Sequence, residues 1–188
     1  MARWVRSCGC RGRLVAEPLR VPTRRQAIAI LERGDADVRA LLAEMPRRAL
    51  TRSGLGGGTW SPKDLVSHLG TWEEFAIEAL DAWAEGHGPA FEKELWTTGT
   101  AAVNRTSHER KARLSTSEAF RRAEATHRDL IERIGALTDV QWRRPGTPRG
   151  RKPMGERLGG ILGGPKGQFR HADAHLADLR AFAAEAGQ

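Results

Sequence analysis

The stretch QFRHADAHLADLRAF, residues 168–182, decides how this chain is read. His171 and His175 stand four residues apart, and Leu176 and Leu179 mark an apolar stripe beside them. Residues four apart on an α-helix share a face, one turn from each other. The spacing therefore predicts a helix that offers two imidazoles to one divalent ion at the edge of a buried face. An isolated pair of this kind is equally the mark of surface or capping histidines. A third histidine adds weight. His68 lies between Leu65 and Trp72, at i−3 and i+4 of a second amphipathic pattern, and so points inward from another helix. Three histidines with an open coordination position form a known catalytic metal geometry.

Composition frames this reading. The 188 residues are enough for one domain with a full core and no disulfide staples. Tyr is absent, Val and Ile are thinly spread, and Ala, Leu, Arg and Glu dominate, which favours an all-α fold. No apolar run approaches the roughly 18 residues of a membrane span, and the N-terminus lacks the apolar core of a signal peptide. A soluble, cytoplasmic protein without a membrane partner is the expectation. The formal charge is +8, but residues 1–25 hold seven arginines against one acid, Glu17, which leaves the remainder near +2 on mixed-charge helices. The basic excess is accordingly assigned to a leader, and nucleic acid is excluded as a partner. Residues 1–20 are expected to form a disordered basic extension ahead of a bundle spanning 21–188. Cys8 and Cys10 lie in that leader as a C-x-C pair with no further ligand nearby, which makes a poor zinc site.

The remaining helices are announced by their starts. Thr23 with Gln26 three residues on forms a capping box, and Ala27, Leu31, Val38, Leu42 and Met45 continue one apolar face to Pro46, predicting a helix near 23–45. Residues 51–59, TRSGLGGGT, read as loop. Ser61, Pro62 and Asp64 open a second helix near 61–86, whose broad inward face includes His68, Trp72 and Trp83. Residues 89–114 are less regular, with a short helical piece near Leu95–Arg105 that would lid a site; Trp96 and Asn104 are its candidate pocket residues. Ser115 and Glu118 cap a third helix near 115–137, and His127 falls on its apolar stripe. His87 and His108 lie in loop-like sequence and are assigned no role. After the loop RRPGTPRGRKP, residues 143–153, helix runs from about Met154 to Ala186, broken at Gly163-Gly164-Pro165. Pro165 fits the first turn of a closing helix over 165–185. Four amphipathic segments with a long connection between the second and third make a four-helix bundle, whose metal sites are built from inward side chains of facing helices.

These residues also carry a resemblance. VPTRRQAIAILERG and WSPKDLVSHLGTWEE, at residues 21–34 and 60–74, resemble the N-terminal half of DinB-like four-helix proteins. FRHADAHLADLRAF resembles that superfamily's last helix, commonly of the form H-Y-x-x-H, with Ala172 standing where an aromatic is usual. The resemblance spans about residues 21–184 and is strongest to the ClbS/DfsB branch, associated with colibactin self-protection. It implies a metal site of one histidine on the second helix and two on the fourth, which map onto His68, His171 and His175. Some members of the superfamily use such a site in thiol-dependent transfer or isomerisation. The ClbS/DfsB branch is associated instead with hydrolytic opening of an electrophilic cyclopropane in a toxic natural product.

The expected function is therefore a self-resistance hydrolase that opens a small electrophile. A divalent ion on three histidines, Zn, Ni or Mn, would lower the pKa of a water towards ~7. Asp64 would orient His68 as an acceptor, or serve only as a helix-start acid, and His127 would support the site from the rim. Trp60, Trp72 and Trp96 would contact the substrate. In a metal-free variant, Asn104 or Glu73 would activate the water. No organic cofactor is expected. Two alternatives stay open: a protein that sequesters the electrophile without turnover, and a thiol transferase or isomerase using an external low-molecular-weight thiol. The chain is expected to act as a monomer or homodimer.

Overall fold

A computed structural model describes residues 21–147 and 150–187; the extension expected over residues 1–20, with Cys8 and Cys10, lies outside them. Four long helices carry the fold: α1 (Arg24–Ala43), α2 (Pro62–Ala84), α5 (Thr116–Ala136) and α8 (His171–Ala186). Between α2 and α5 run α3 (Ala90–Thr98) and α4 (Thr100–Lys111); between α5 and α8 run α6 (Asp139–Arg143) and α7 (Met154–Ile161). Among the described residues there is no strand, only isolated bridges at Pro145–Pro153 and Gly164–Gly167. None of the described helices is long and apolar enough to cross a membrane. The all-α bundle with a long second-to-third connection is thus the observed architecture.

Reciprocal caps fix where three of the four long helices begin. Thr23 Oγ1 accepts from Gln26 N–H at 3.3 Å while Gln26 Oε1 accepts from Thr23 N–H at 2.9 Å. Ser61/Asp64 and Ser115/Glu118 repeat the device on α2 and α5, satisfying helix N–H groups that have no intrahelical partner. Helices α2 and α5 pack most extensively, helped by Gly70, where a Cβ would sit 3.3 Å from the Ala123 Cα. The core falls into two clusters along the bundle. One gathers Leu31, Leu80, Trp83, Leu130, Ile134 and Leu158 with Phe169; the other gathers Val38, Leu42, Leu65, Leu176, Leu179 and Phe182. Burying side chains of this size stabilises the fold by about 1.5–3 kcal/mol each.

Two boundaries differ from the sequence expectation. The piece expected over 95–105 is two helices, because Gly99 adopts φ 80 and ends α3 where the expectation runs straight through. Long-range bonds then hold α4: the buried Lys63 Nζ donates to the carbonyls of Ala112 and Leu114 at 2.9 and 3.2 Å, and Lys111 Nζ donates to Glu74 at 2.8 Å. The closing helix begins at His171, not at Pro165. Gly167 (φ 117) and Phe169 (φ 61) both lie in the left-handed region and stop any helix there. The strain at Phe169, roughly 1–3 kcal/mol, is opposed by burial of its ring, which stacks on Trp142 at 5.9 Å. His171 N–H then donates to the Leu162 carbonyl at 3.1 Å, which sets the first turn of α8 against the end of α7.

Candidate metal centre

At the junction of the two core clusters α2 presents His68 to the first turns of α8. His68 Nε2 lies 3.0 Å from His171 Nε2, and ligand atoms of His68, His171 and His175 all lie within 4.8 Å of one another. The ring of His175 is 5.4 Å from that of His68 and 5.2 Å from that of His171, centre to centre. Two nitrogens that share an ion at 2.0–2.1 Å stand about 3–3.5 Å apart, so the His68–His171 pair already has the right separation.

The electrostatics suit a cation. Burial, followed by the neighbouring charges of His171 and His175, pushes His68 down to about 2. Burial and then His175 push His171 down to about 4. Burial lowers His175 too, against the pull of Asp178. All three imidazoles are neutral at pH 7, with lone pairs available, as ligation requires. In this donor set the three histidines fit a divalent metal.

His68 and His171 each line a separate space. His68 lines a narrow polar cleft with Trp60, Asp64, Thr71, Asn104 and His108. His171 lines an apolar cavity enclosed by α1, α2, α5 and α8. On the cleft side Trp60 stands 4.9 Å from His68, and Trp72 meets both His68 and His171 edge-on at 6.5 and 5.9 Å. Trp72 Nε1 donates to Asn104 Oδ1 at 3.2 Å, which holds the Asn104 amide beside His68.

Other expected residues go elsewhere. Asp64 does not orient His68: its Oδ2 accepts from Ser61 N–H and Oγ at 2.9 and 2.7 Å, and its Oδ1 lies 3.4 Å from His108 Nε2. Burial would raise its pKa, but these Ser61 bonds outweigh it and leave the carboxyl below its ordinary value. The helix-start role prevails. Trp96 is 89% exposed and contributes to no site, because the buried face of α3 is set by Phe91, and a residue five positions on falls well round the helix. His127 touches none of the three histidines. Its Nδ1 pairs with Glu73 Oε1 at 2.7 Å, and its Nε2 is 3.9 Å from Asp35 Oδ2. Burial opposes its protonation, yet the Glu73 hydrogen bond and the charges of Glu73 and Asp35 prevail and raise its pKa. Burial also raises Glu73, partly offset by His127.

His108 is the residue the sequence reading passes over. It stacks on Trp60 at 5.6 Å with planes 9° apart and reaches Asp64, so it completes the cleft beside His68. The readable signal is its spacing from Asn104: four residues apart on α4, the two share a face.

A helical bundle with a long second-to-third crossing and a three-histidine cluster between its second and last long helices is the class defined by this geometry. Residues 30–163 match the DinB superfamily, and the chain belongs to that superfamily. The match takes in His68 and stops short of His171 and His175. Two solved structures share the fold. One is an uncharacterised protein from Escherichia coli UTI89, 15% identical, with TM-score 0.71 over 87% of this chain and 94% of that one. The other is the colibactin self-resistance protein ClbS in complex with a dsDNA, 15% identical, with TM-score 0.64 over 88% of this chain and 94% of that one. No curated protein matches the sequence.

The ClbS complex corrects one expectation. Exclusion of nucleic acid does not stand, since a protein of this fold has been solved on double-stranded DNA. The exclusion rests on net charge averaged over the helices. An average does not report how cations are grouped, and grouping is what a phosphate backbone meets.

Proposed function

We propose that this chain is a detoxifying, self-resistance hydrolase that opens a small electrophile, with a divalent metal held by His68, His171 and His175. The observation that carries the reading is the gathering of three neutral imidazoles, of which His171 lines an apolar cavity and His68 a narrow cleft. A bound ion supplies Lewis acidity and a means of making water nucleophilic at neutral pH. The chain's own residues do the rest. The apolar cavity takes the hydrocarbon part of the electrophile and excludes bulk water. Trp60 and Trp72 wall the reacting end. The Asn104 amide, fixed by Trp72, offers its N–H₂ group in the cleft, and Glu73 presents a carboxylate in the cavity as a proton acceptor. Ring opening forms a C–O bond to water and breaks a strained C–C bond. The water proton leaves to the acceptor, and the released carbon takes a proton in return.

Incubating the protein with an activated cyclopropane and following product mass tests this. The expected product gains one water, without added thiol. A thiol adduct formed only with added thiol would favour a transferase, and stoichiometric capture without turnover would favour sequestration.

A second reading concerns a partner. The ClbS complex suggests double-stranded DNA as a partner, and exposed Arg143 at the end of α6 with Arg144, Arg151 and Lys152 between α6 and α7 offer cations for its phosphates. Gel-shift titration at two salt concentrations checks it. Binding that weakens with salt and with Arg143→Ala/Arg144→Ala is expected; no shift at low salt would contradict it.

A further inference from the structure

The apolar cavity has a volume of about 160 Å³, and Val38, Leu69, Phe120 and Phe169 are among its walls. A Leu/Ile/Phe-lined cavity of about 150 Å³ in another protein takes up benzene, so this one has room for a six-membered ring. Three carboxylates, on Asp35, Glu73 and Glu124, interrupt the apolar lining. Glu73 gives Oε1 to His127, while its Oε2 meets no hydrogen-bond donor among the described residues. Asp35 Oδ2 is buried, and although Arg39 Nη2 lies 2.5 Å away, the pair lacks hydrogen-bond alignment.

The surroundings leave negative charge in surplus. Helix α1 contributes Asp35 and Arg39, α2 contributes Glu73, α5 contributes Glu124 and His127, and α8 contributes His171. Three carboxylates thus face Arg39 and a His127 that counts only when protonated. A buried acceptor without an aligned donor, as at Asp35 Oδ2, is costly, which gives a ligand that donates to it an advantage over a purely apolar one. The raised pKa of Glu73 points the same way, because a desolvated carboxylate gains from a nearby cation.

We propose that this cavity binds a small ring-bearing amine as its ammonium ion, the ring against Val38, Leu69 and Phe120 and the nitrogen donating to Glu73 and Asp35. The site needs neither metal nor turnover, so it stands or falls separately from the hydrolase reading. If that reading also holds, it narrows the substrate to an electrophile carrying a basic nitrogen.

Calorimetric titration of the full chain with benzylamine and with the near-isosteric neutral benzyl alcohol tests the proposal. Benzylamine is expected to bind at least about tenfold more tightly, the discrimination typical of one added charged hydrogen bond. Glu73→Gln should remove that preference while leaving benzyl alcohol binding unchanged. Should Glu73→Gln fail to fold, Asp35→Asn provides the same comparison. Val38→Phe should fill the cavity and abolish binding of both. Equal affinities, no binding of either probe, or undiminished binding to Val38→Phe would each overturn it.

Discussion

His68 Nε2 and His171 Nε2 face each other at 3.0 Å across the meeting of α2 and α8. Without an ion, one of these nitrogens carries the proton and donates to the other; both cannot carry one without penalty, and burial already disfavours charge on both rings. The same separation suits two ligands of one ion, and the contact has consequences without that ion as well.

The first concerns acid stability of the metal-free protein. The folded values, about 2 for His68 and about 4 for His171, lie below the unfolded value of 6.5. The unfolded chain therefore binds more protons as pH falls. Stability present above pH 6.5 is lost on acidification, at up to roughly 1.4 kcal/mol per pH unit for each histidine, continuing for His171 to about pH 4. Urea unfolding of metal-stripped protein at pH 7.5, 6 and 5 should show this, with a shallower slope in His68→Leu. Identical slopes in the two proteins would count against it.

At the alkaline side the pair of His127 and Glu73 acts in the opposite sense. His127 is raised above 6.5 by Glu73, so its contribution is complete below pH 6.5 and fades as pH rises through the folded value. His127→Gln should flatten the stability profile between pH 6.5 and 9, measured as the urea midpoint. A variant profile that still falls with pH as in the wild type would contradict the pairing.

Gly155 tests the packing that supports α8 from behind. A Cβ there would stand 2.3 Å from Trp142 Cε2, and the Trp142 indole stacks on Phe169 and donates to the Pro22 carbonyl at 2.9 Å. Gly155→Ala should cost roughly 1–3 kcal/mol of stability and lower Tm by several degrees. An unchanged Tm would show that Trp142 moves freely.

Exposure separates the tryptophans. Trp96→Ala should change stability by no more than about 0.5 kcal/mol and leave turnover unaltered, since the side chain meets solvent. Trp60→Ala should impair turnover, because it removes the ring lying against both His68 and His108. Steady-state assay of both variants distinguishes the two positions.

Much of the bundle is legible in local sequence because its signals are local. Thr23/Gln26, Ser61/Asp64 and Ser115/Glu118 each close a cap within four residues, and the apolar stripes of α1, α2 and α5 are readable as periods. The histidine cluster is legible for the same reason: His171/His175 and His68 each sit on a recognisable face. What is not legible depends on distant partners. The late start of α8 is fixed by Phe169, a non-glycine residue in the left-handed region, whose cost is opposed by burial in the core and stacking on Trp142, contacts distant in sequence. The course of α4, and with it His108, is held by bonds to α2: Lys63 reaches across to the chain just beyond α4, and Lys111 reaches back to Ser67 and Glu74. Asp64 is legible as a cap and illegible as anything more, because a short side chain committed to Ser61 is not free to reach His68.

That His68, His171 and His175 hold one ion on which turnover depends is tested by following metal content and cyclopropane hydrolysis together. The protein is stripped with chelator, assayed, and reloaded with Zn²⁺, Ni²⁺ or Mn²⁺, beside His171→Ala treated in the same way. The expected result is loss of turnover with loss of metal, recovery on reloading, and a folded His171→Ala that retains neither. Full turnover by stripped protein with no metal detected would contradict the account.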